Sequence, residues 1–186
     1  MTRETLGNIL LSGVVGILLG GVVQAAVGRY AAFKEAQGIA AAIRAEIEAT
    51  LTVLNRANHR EAIAHHIKNL EIAVSAPTYN DVFTFGVNEK PFQVFDSLCN
   101  RIGLLGRQGE QIVGVYLLGK ALFTNVRVLG KIQDRLLAKQ MTVERKALLG
   151  FTRQVDELYR QFESDGQRAA DSLAKYARRK WLILFS

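Results

Sequence analysis

The chain of 186 residues carries a formal net charge of +7, is 49% apolar, and contains two prolines and one cysteine. That composition excludes a mainly disordered chain, and the lone Cys99 excludes an intramolecular disulfide framework and fits a reducing compartment. Alanine, leucine, glutamate, lysine, arginine and glutamine dominate, which predicts an all-α protein.

The first element is the uncharged stretch of residues 9–27, in which only Ser12 and Gln24 are polar. A helix needs roughly 20 apolar residues to cross a hydrocarbon core of about 30 Å, and residues 6–28 supply that length. The segment lacks the basic lead and small-residue cleavage site of a signal peptide, so it is expected to be an uncleaved transmembrane anchor. Ser12, Gly16, Gly20, Gln24 and Gly28 recur every four residues and form one ridge of small or polar groups. Two helix backbones approach closely along such a strip, so the anchor is expected to self-associate into a homo-oligomer.

Positive charge sets the orientation. Only Arg3 and the α-amino group precede the span, whereas Arg29, Lys34 and Arg44 follow it. The bias predicts a single-pass protein of the inner (cytoplasmic) membrane, with residues 1–29 as anchor and residues 30–186 as a cytoplasmic helical bundle. The net positive charge also suits an anionic inner leaflet.

From residue 30 to 75 the pattern turns amphipathic without a break. Ala36, Ala40, Ile43, Ile47, Leu51 and Leu54 recur at threes and fours, and Ile63, Ile67 and Leu70 continue the stripe. Anchor and stalk therefore read as one long helix, with an irregularity at residues 55–58. Residues 76–90 hold Pro77, Asn80, Asp81 and Gly86 and read as a non-helical cap. Pro91 opens a short helix with Phe92, Phe95, Leu98, Cys99 and Ile102 on its apolar side and Gly103 as its stop. After a glycine-rich connection, a third long helix is expected over residues 110–139 and a fourth over 143–180. The fourth has Ala147 on its apolar face and residues 164–166 as its weak point. The architecture expected is an N-terminal transmembrane helix continuing into a long-helix antiparallel bundle. Arg178, Arg179, Lys180 and Trp181 close the chain beside an apolar tail that suits a membrane interface, a partner, or a last helical turn packed on the bundle.

No catalytic, cofactor or metal constellation assembles. Residues 114–120 spell the start of a phosphate-binding loop, but Ala121 stands where a magnesium-holding hydroxyl belongs, and no strand precedes it. His59, His65 and His66 lack the HExxH order and are expected at the solvent or an interface, and Cys99 is expected to pack as a small hydrophobe. Glu46 and Glu48 fall on different sides of a helix and form no carboxylate pair. Lys120, Arg127, Lys131, Arg135 and Lys139 form a partial basic stripe without exposed stacking aromatics, a pattern that suits headgroups or water better than nucleic acid.

The Gly-rich span, the run Ile43-Arg-Ala-Glu46-Ile-Glu-Ala and the later Pro77-Thr-Tyr-Asn-Asp-Val-Phe83 leading to Arg101-Ile-Gly-Leu-Leu105 carry a resemblance. Their layout, over roughly residues 5–130, resembles a loosely defined group of small bacterial and prophage membrane-anchored helical proteins without an assigned activity. Gly106 stands where that group tends to have proline. The resemblance implies a membrane-tethered helical domain facing the cytoplasm and supplies no catalytic residue. The function expected is that of a non-enzymatic membrane protein presenting its bundle to a protein partner. The alternative is an oligomeric membrane-perturbing or channel-like effector of the host-defence or phage-exclusion type.

Overall fold

The computed structural model describes residues 3–56, 58–72, 91–138 and 145–179, and the side chains of these from residue 19 onward. The described elements are helical: α1 (Arg3–Arg56), α2 (His59–Ile72), α3 (Gln93–Leu98), a 3-10 helix (Cys99–Leu105), α4 (Arg107–Leu137) and α5 (Arg145–Ala177). The expected cap at residues 76–90 lies outside the described residues.

The bundle is held by heptad seams. On α5 the buried set Leu148, Thr152, Val155, Tyr159, Phe162, Gly166, Ala169 and Leu173 alternates steps of four and three, the spacing that keeps one face of a helix on its neighbours. Thr152 is tolerated there because its hydroxyl donates to the Leu148 carbonyl at 2.9 Å. On α1 the stripe Ala36, Ala40, Ile43, Ile47, Leu51 and Leu54 is buried throughout, as its spacing predicts. The irregularity expected at residues 55–58 is present: α1 ends at Arg56, and Asn58 takes a left-handed conformation (φ 47°) before α2 begins. Asparagine tolerates that conformation better than most residues.

Cross-contacts give the helix directions. Gln37 of α1 meets the end of α5 at Ala177, Leu51 meets Gly166, and Glu71 of α2 meets Arg153. The α1–α2 rod is therefore antiparallel to α5. Tyr116 of α4 pairs with Glu46 and Gln133 with His66, so α4 runs parallel to the rod. An antiparallel bundle was expected, and the closely packed pairs, α1 with α5 and α4 with α5, are antiparallel. The parallel relation of α1 to α4 follows because α3 and the 3-10 helix bring the chain from the level of Glu46 back to that of Glu35 before α4 starts.

Three boundaries also differ from the expected ones. The short helix does not stop at Gly103 but tightens into the 3-10 helix, and the junction falls at Gly106 (φ 56°), a value suited to glycine. The fourth helix runs unbroken through residues 164–166, and Gly166 is buried on the face that meets Leu51 and Ile47. Ala147 is exposed, one position before the seam residue Leu148.

At the centre, Glu46 joins three elements. Its carboxylate accepts the Val94 amide at 2.8 Å, the Phe95 amide at 3.0 Å and the Tyr116 hydroxyl at 2.6 Å. The helix α3 needs this help because its N-cap is Phe92, which has no side-chain acceptor and sits in the left-handed region (φ 70°). Such a conformation costs about 1–3 kcal/mol for a non-glycine residue. Burial of the Phe92 ring offsets it, with ring centroids 4.8 Å from Tyr116, 5.5 Å from Phe123 and 6.0 Å from Phe162. Phe95 stacks on Tyr116 at 3.7 Å. Burial, and then the bond to the Glu46 carboxylate, holds the Tyr116 hydroxyl well above the ordinary phenol range.

By length and composition α4 is the one helix among the described residues that could cross a bilayer. Its packing gives its apolar residues another role. Ile112, Val115, Tyr116, Gly119, Leu122, Phe123, Val126 and Leu129 are buried in the bundle, and Lys120 pairs with Asp96 at 2.6 Å.

Two glycines of α4 behave oppositely on substitution. A Cβ at Gly119 would collide with the Phe92 ring and come within 2.8 Å of the Phe162 ring, whereas one at Gly114 meets nothing within 4 Å. Gly119→Ala should destabilise the bundle by about 1–3 kcal/mol through overpacking, while Gly114→Ala should stabilise it by roughly 0.5–1 kcal/mol through helix propensity. Thermal unfolding followed by circular dichroism checks both signs. In the same assay Glu46→Ala should cost about 2–4 kcal/mol, because two helix-terminal amides and a buried hydroxyl lose a charged acceptor.

Candidate functional site

The charge-free composition that marks residues 9–27 continues into a structural fact: every described side chain from Leu19 to Ala32 is exposed. This part of α1 extends about 21 Å at the helical rise. Val22 is 67% exposed, and Leu19, Val23 and Val27 are similarly open. The first core residue of α1 is Phe33. The helix thus leaves the bundle as a rod that, between Leu19 and Gly28, is apolar apart from Gln24, and nothing in the described chain covers it. Contiguous exposed apolar surface of this size marks a site of contact with lipid or protein.

The ridge residues Gly20, Gln24 and Gly28 lie on this rod, all exposed, while Ser12 and Gly16 lie outside the described side chains. A Cβ at Gly20, Gly21 or Gly28 would meet nothing within 4 Å. Glycine costs a helix about 1 kcal/mol per residue relative to alanine. Packing among the described residues does not account for that cost.

Where the rod enters the bundle, three chain segments converge. The Gln37 side-chain amide donates to the Ala177 carbonyl at 3.0 Å and to the Arg179 carbonyl at 2.9 Å, capping the end of α5 on the flank of α1. The Tyr176 hydroxyl donates to the Leu104 carbonyl of the 3-10 helix at 3.4 Å, and Arg101 pairs with Glu35 at 2.7 Å. The Arg179 guanidinium lies over the Tyr176 ring, 5.2 Å from its centroid, and the Lys34 ammonium lies 5.8 Å from the Tyr30 ring. The expected membrane-proximal cations Arg29 and Lys34 and the tail cations Arg178 and Arg179 are thereby brought to one end of the molecule, all exposed. Lys180 and Trp181 lie outside the described residues.

The other polar groups serve the fold. Residues 114–120 lie inside unbroken α4 and offer no loop of inward-facing amides. The histidines differ from expectation: His65 is exposed, but His59 and His66 are core residues, with His66 3.1 Å from the Gln133 amide across α2 and α4. Both fall on the apolar stripe of α2 with Ile63 and Leu70, so the seam register buries them. Cys99 also differs. The tightening of the chain into the 3-10 helix turns it to solvent. Among the described residues no three His, Cys, Asp or Glu side chains group as metal ligands. A groove of about 470 Å³ beside Asp96, Lys120 and Arg127, and one of about 360 Å³ beside Glu46 and Thr50, flank α3. In both, the central charges are engaged, Lys120 by Asp96 and Glu46 by its three donors.

Sequence reading missed Gln37 and Glu46. Gln37 left no signal, since it sits beside the stripe like any surface glutamine. Glu46 left a partial one, because position 46 borders the core residues Ile43 and Ile47, where a carboxylate needs donors. Comparison with family models, with curated proteins and with solved structures gave no match.

Burial holds the His59 pKa below its usual 6.5. Between the folded and unfolded values the unfolded chain binds the extra proton, so the stability His59 permits is complete above about 6.5 and is lost as pH falls through that value. Denaturant midpoints should therefore drop between pH 7 and 5.5, with a slope of at most ~1.4 kcal/mol per pH unit from this residue. His59→Gln should flatten that limb of the profile.

Proposed function

We propose that this is a non-enzymatic, single-span membrane protein. Residues 1–29 anchor it in the inner (cytoplasmic) membrane, and residues 30–186 form a cytoplasmic helical domain that presents an interaction surface to a protein partner. The observation that carries the reading is the exposed, largely apolar rod of α1 from Leu19 to Gly28, emerging from a bundle in which buried α1 side chains, among those described, begin at Phe33. Its exit point is ringed by cations, which supports an orientation with the bundle on the cytoplasmic side.

Within the membrane, copies associate through the ridge of Ser12, Gly16, Gly20, Gln24 and Gly28. The open space around Gly20 and Gly28 supports this reading, since a second backbone fits where no described side chain of the same copy stands. The assignment as non-enzymatic rests on the polar groups themselves. Glu46, Lys120, Gln37 and Asp156 each hold a partner inside the fold.

Alkaline carbonate washing of membranes should leave the full chain in the pellet. Gly20→Leu should stay in the pellet yet lose the parent's oligomer on cross-linking in detergent, because the branched side chain separates backbones that would otherwise touch. Val22→Ile, on the side opposite the ridge, should keep it. Release of the parent by carbonate would overturn the anchor, and an unchanged oligomer in Gly20→Leu would assign association to the bundle. A dimer accords with a dry helix contact, whereas a ring of five or more would favour the channel-like alternative.

A further inference from the structure

We infer that the end of the bundle from which α1 emerges is a docking surface for the headgroups of anionic phospholipids, assembled from cations on four separate segments. This rests on the anchored reading above and adds to it a lipid preference and the residues that set it.

The chain gathers these cations by folding. Arg29 and Lys34 arrive on α1, Arg101 in the 3-10 helix, Arg107 at the start of α4, and Arg178 and Arg179 just beyond α5. In sequence they are spread over about 150 residues. Gln37 fixes the last pair by holding the carbonyls of Ala177 and Arg179, and the Tyr176–Leu104 bond fixes the 3-10 helix to the same end. Among the described residues the nearby carboxylates are Glu35, which Arg101 engages, and Glu110 in the first turn of α4. Positive charge is in clear excess.

Helix electrostatics explains only part of this set. Arg178 and Arg179 suit the carbonyl end of α5, although Gln37 already satisfies two carbonyls there. Arg107 is the opposite case: it stands in the first turn of α4, where the helix dipole disfavours a cation. Arg29 is mid-helix, far from either terminus of α1. An anion from outside the chain satisfies them all.

The heights match a membrane surface. Gln37 stands nine residues beyond Gly28, about 13 Å at the helical rise. Headgroups occupy roughly 5–7 Å of each leaflet outside the hydrocarbon core. With residues up to Gly28 in the core, Arg29 meets the headgroups directly. Lys34, Arg101 and the Arg178–Arg179 pair stand within about one Debye length of them, the range over which anionic lipid attracts basic residues. The occupant is therefore the phosphate of an anionic lipid in the leaflet that the bundle faces.

The sole tryptophan, Trp181, follows Arg179 by two residues and reports on this end. The full chain is reconstituted in phosphatidylcholine vesicles containing a small, equal fraction of either pyrene-chain phosphatidylglycerol or pyrene-chain phosphatidylcholine, whose pyrene quenches tryptophan by energy transfer across the headgroup layer. Flotation of the chain with plain phosphatidylcholine vesicles tests the anchor alone. Trp181 should be quenched about threefold more strongly by the anionic lipid. The doubly substituted Arg178→Gln/Arg179→Gln chain should fall to parity, and Arg107→Gln, on a different element, should lose part of the preference with helical circular dichroism unchanged. Equal or absent quenching in a chain that floats, or a preference that survives in both variants, overturns the docking surface and leaves the anchor standing. Failure to float overturns the anchored reading and the docking surface with it.

Discussion

A single helix that changes character at Phe33 is the constraint on which the molecule depends. From Leu19 to Ala32 its described side chains are all exposed and largely apolar, and from Phe33 onward α1 is apolar on one stripe and belongs to the core. No loop separates the two regimes. Whatever environment the rod occupies therefore fixes the bundle's position to within the stiffness of a helix, unlike a flexible linker, which leaves a domain free to wander. The closeness of the cation-rich end to the rod is a consequence of that continuity.

Specificity within the bundle comes from a few polar and glycine positions set into otherwise interchangeable seams. Leucine and isoleucine stripes allow neighbouring registers, but the Glu46 carboxylate accepts three donors at one register only. Gly119 admits the Phe92 and Phe162 rings at that same level, so the aromatic cluster and the carboxylate lock one layer. Gln37 repeats the device at the rod end, where it ties α5 to α1. The heptads supply the bulk of the burial, and these side chains select which heptad faces which.

Much of the helical layout was legible in the sequence because periodicity reports burial directly. The α1 stripe from Ala36 to Leu54 and the break before α2 were readable in this way. The parallel relation of α1 to α4 was not, since seam spacing is the same in either direction and the relation shows only once Tyr116 stands beside Glu46 and Gln133 beside His66. His59 and His66 were misread because a polar residue on an apolar stripe looks solvated until the register is known. Gly166 read as a weak point for the opposite reason: glycine in a helix signals either a break or a buried seam position, and only the facing Leu51 of α1 decides. The apolar stretch of residues 9–27 was visible as composition alone, whereas the grouping of Arg29, Arg107 and Arg179 needed the fold.

The central claim is that the exposed rod of α1 lies in lipid while the bundle stays in water. In a Cys99→Ser background, single cysteines at Val22 and at Thr52, both exposed in the isolated chain, can be compared in leaky vesicles with a membrane-impermeant maleimide. Val22 faces away from the glycine ridge, so a second copy packed on that ridge does not hide it. The account predicts that the Thr52→Cys chain reacts at least about tenfold faster than Val22→Cys, as burial in hydrocarbon requires. Equal rates would place the rod in water and contradict it.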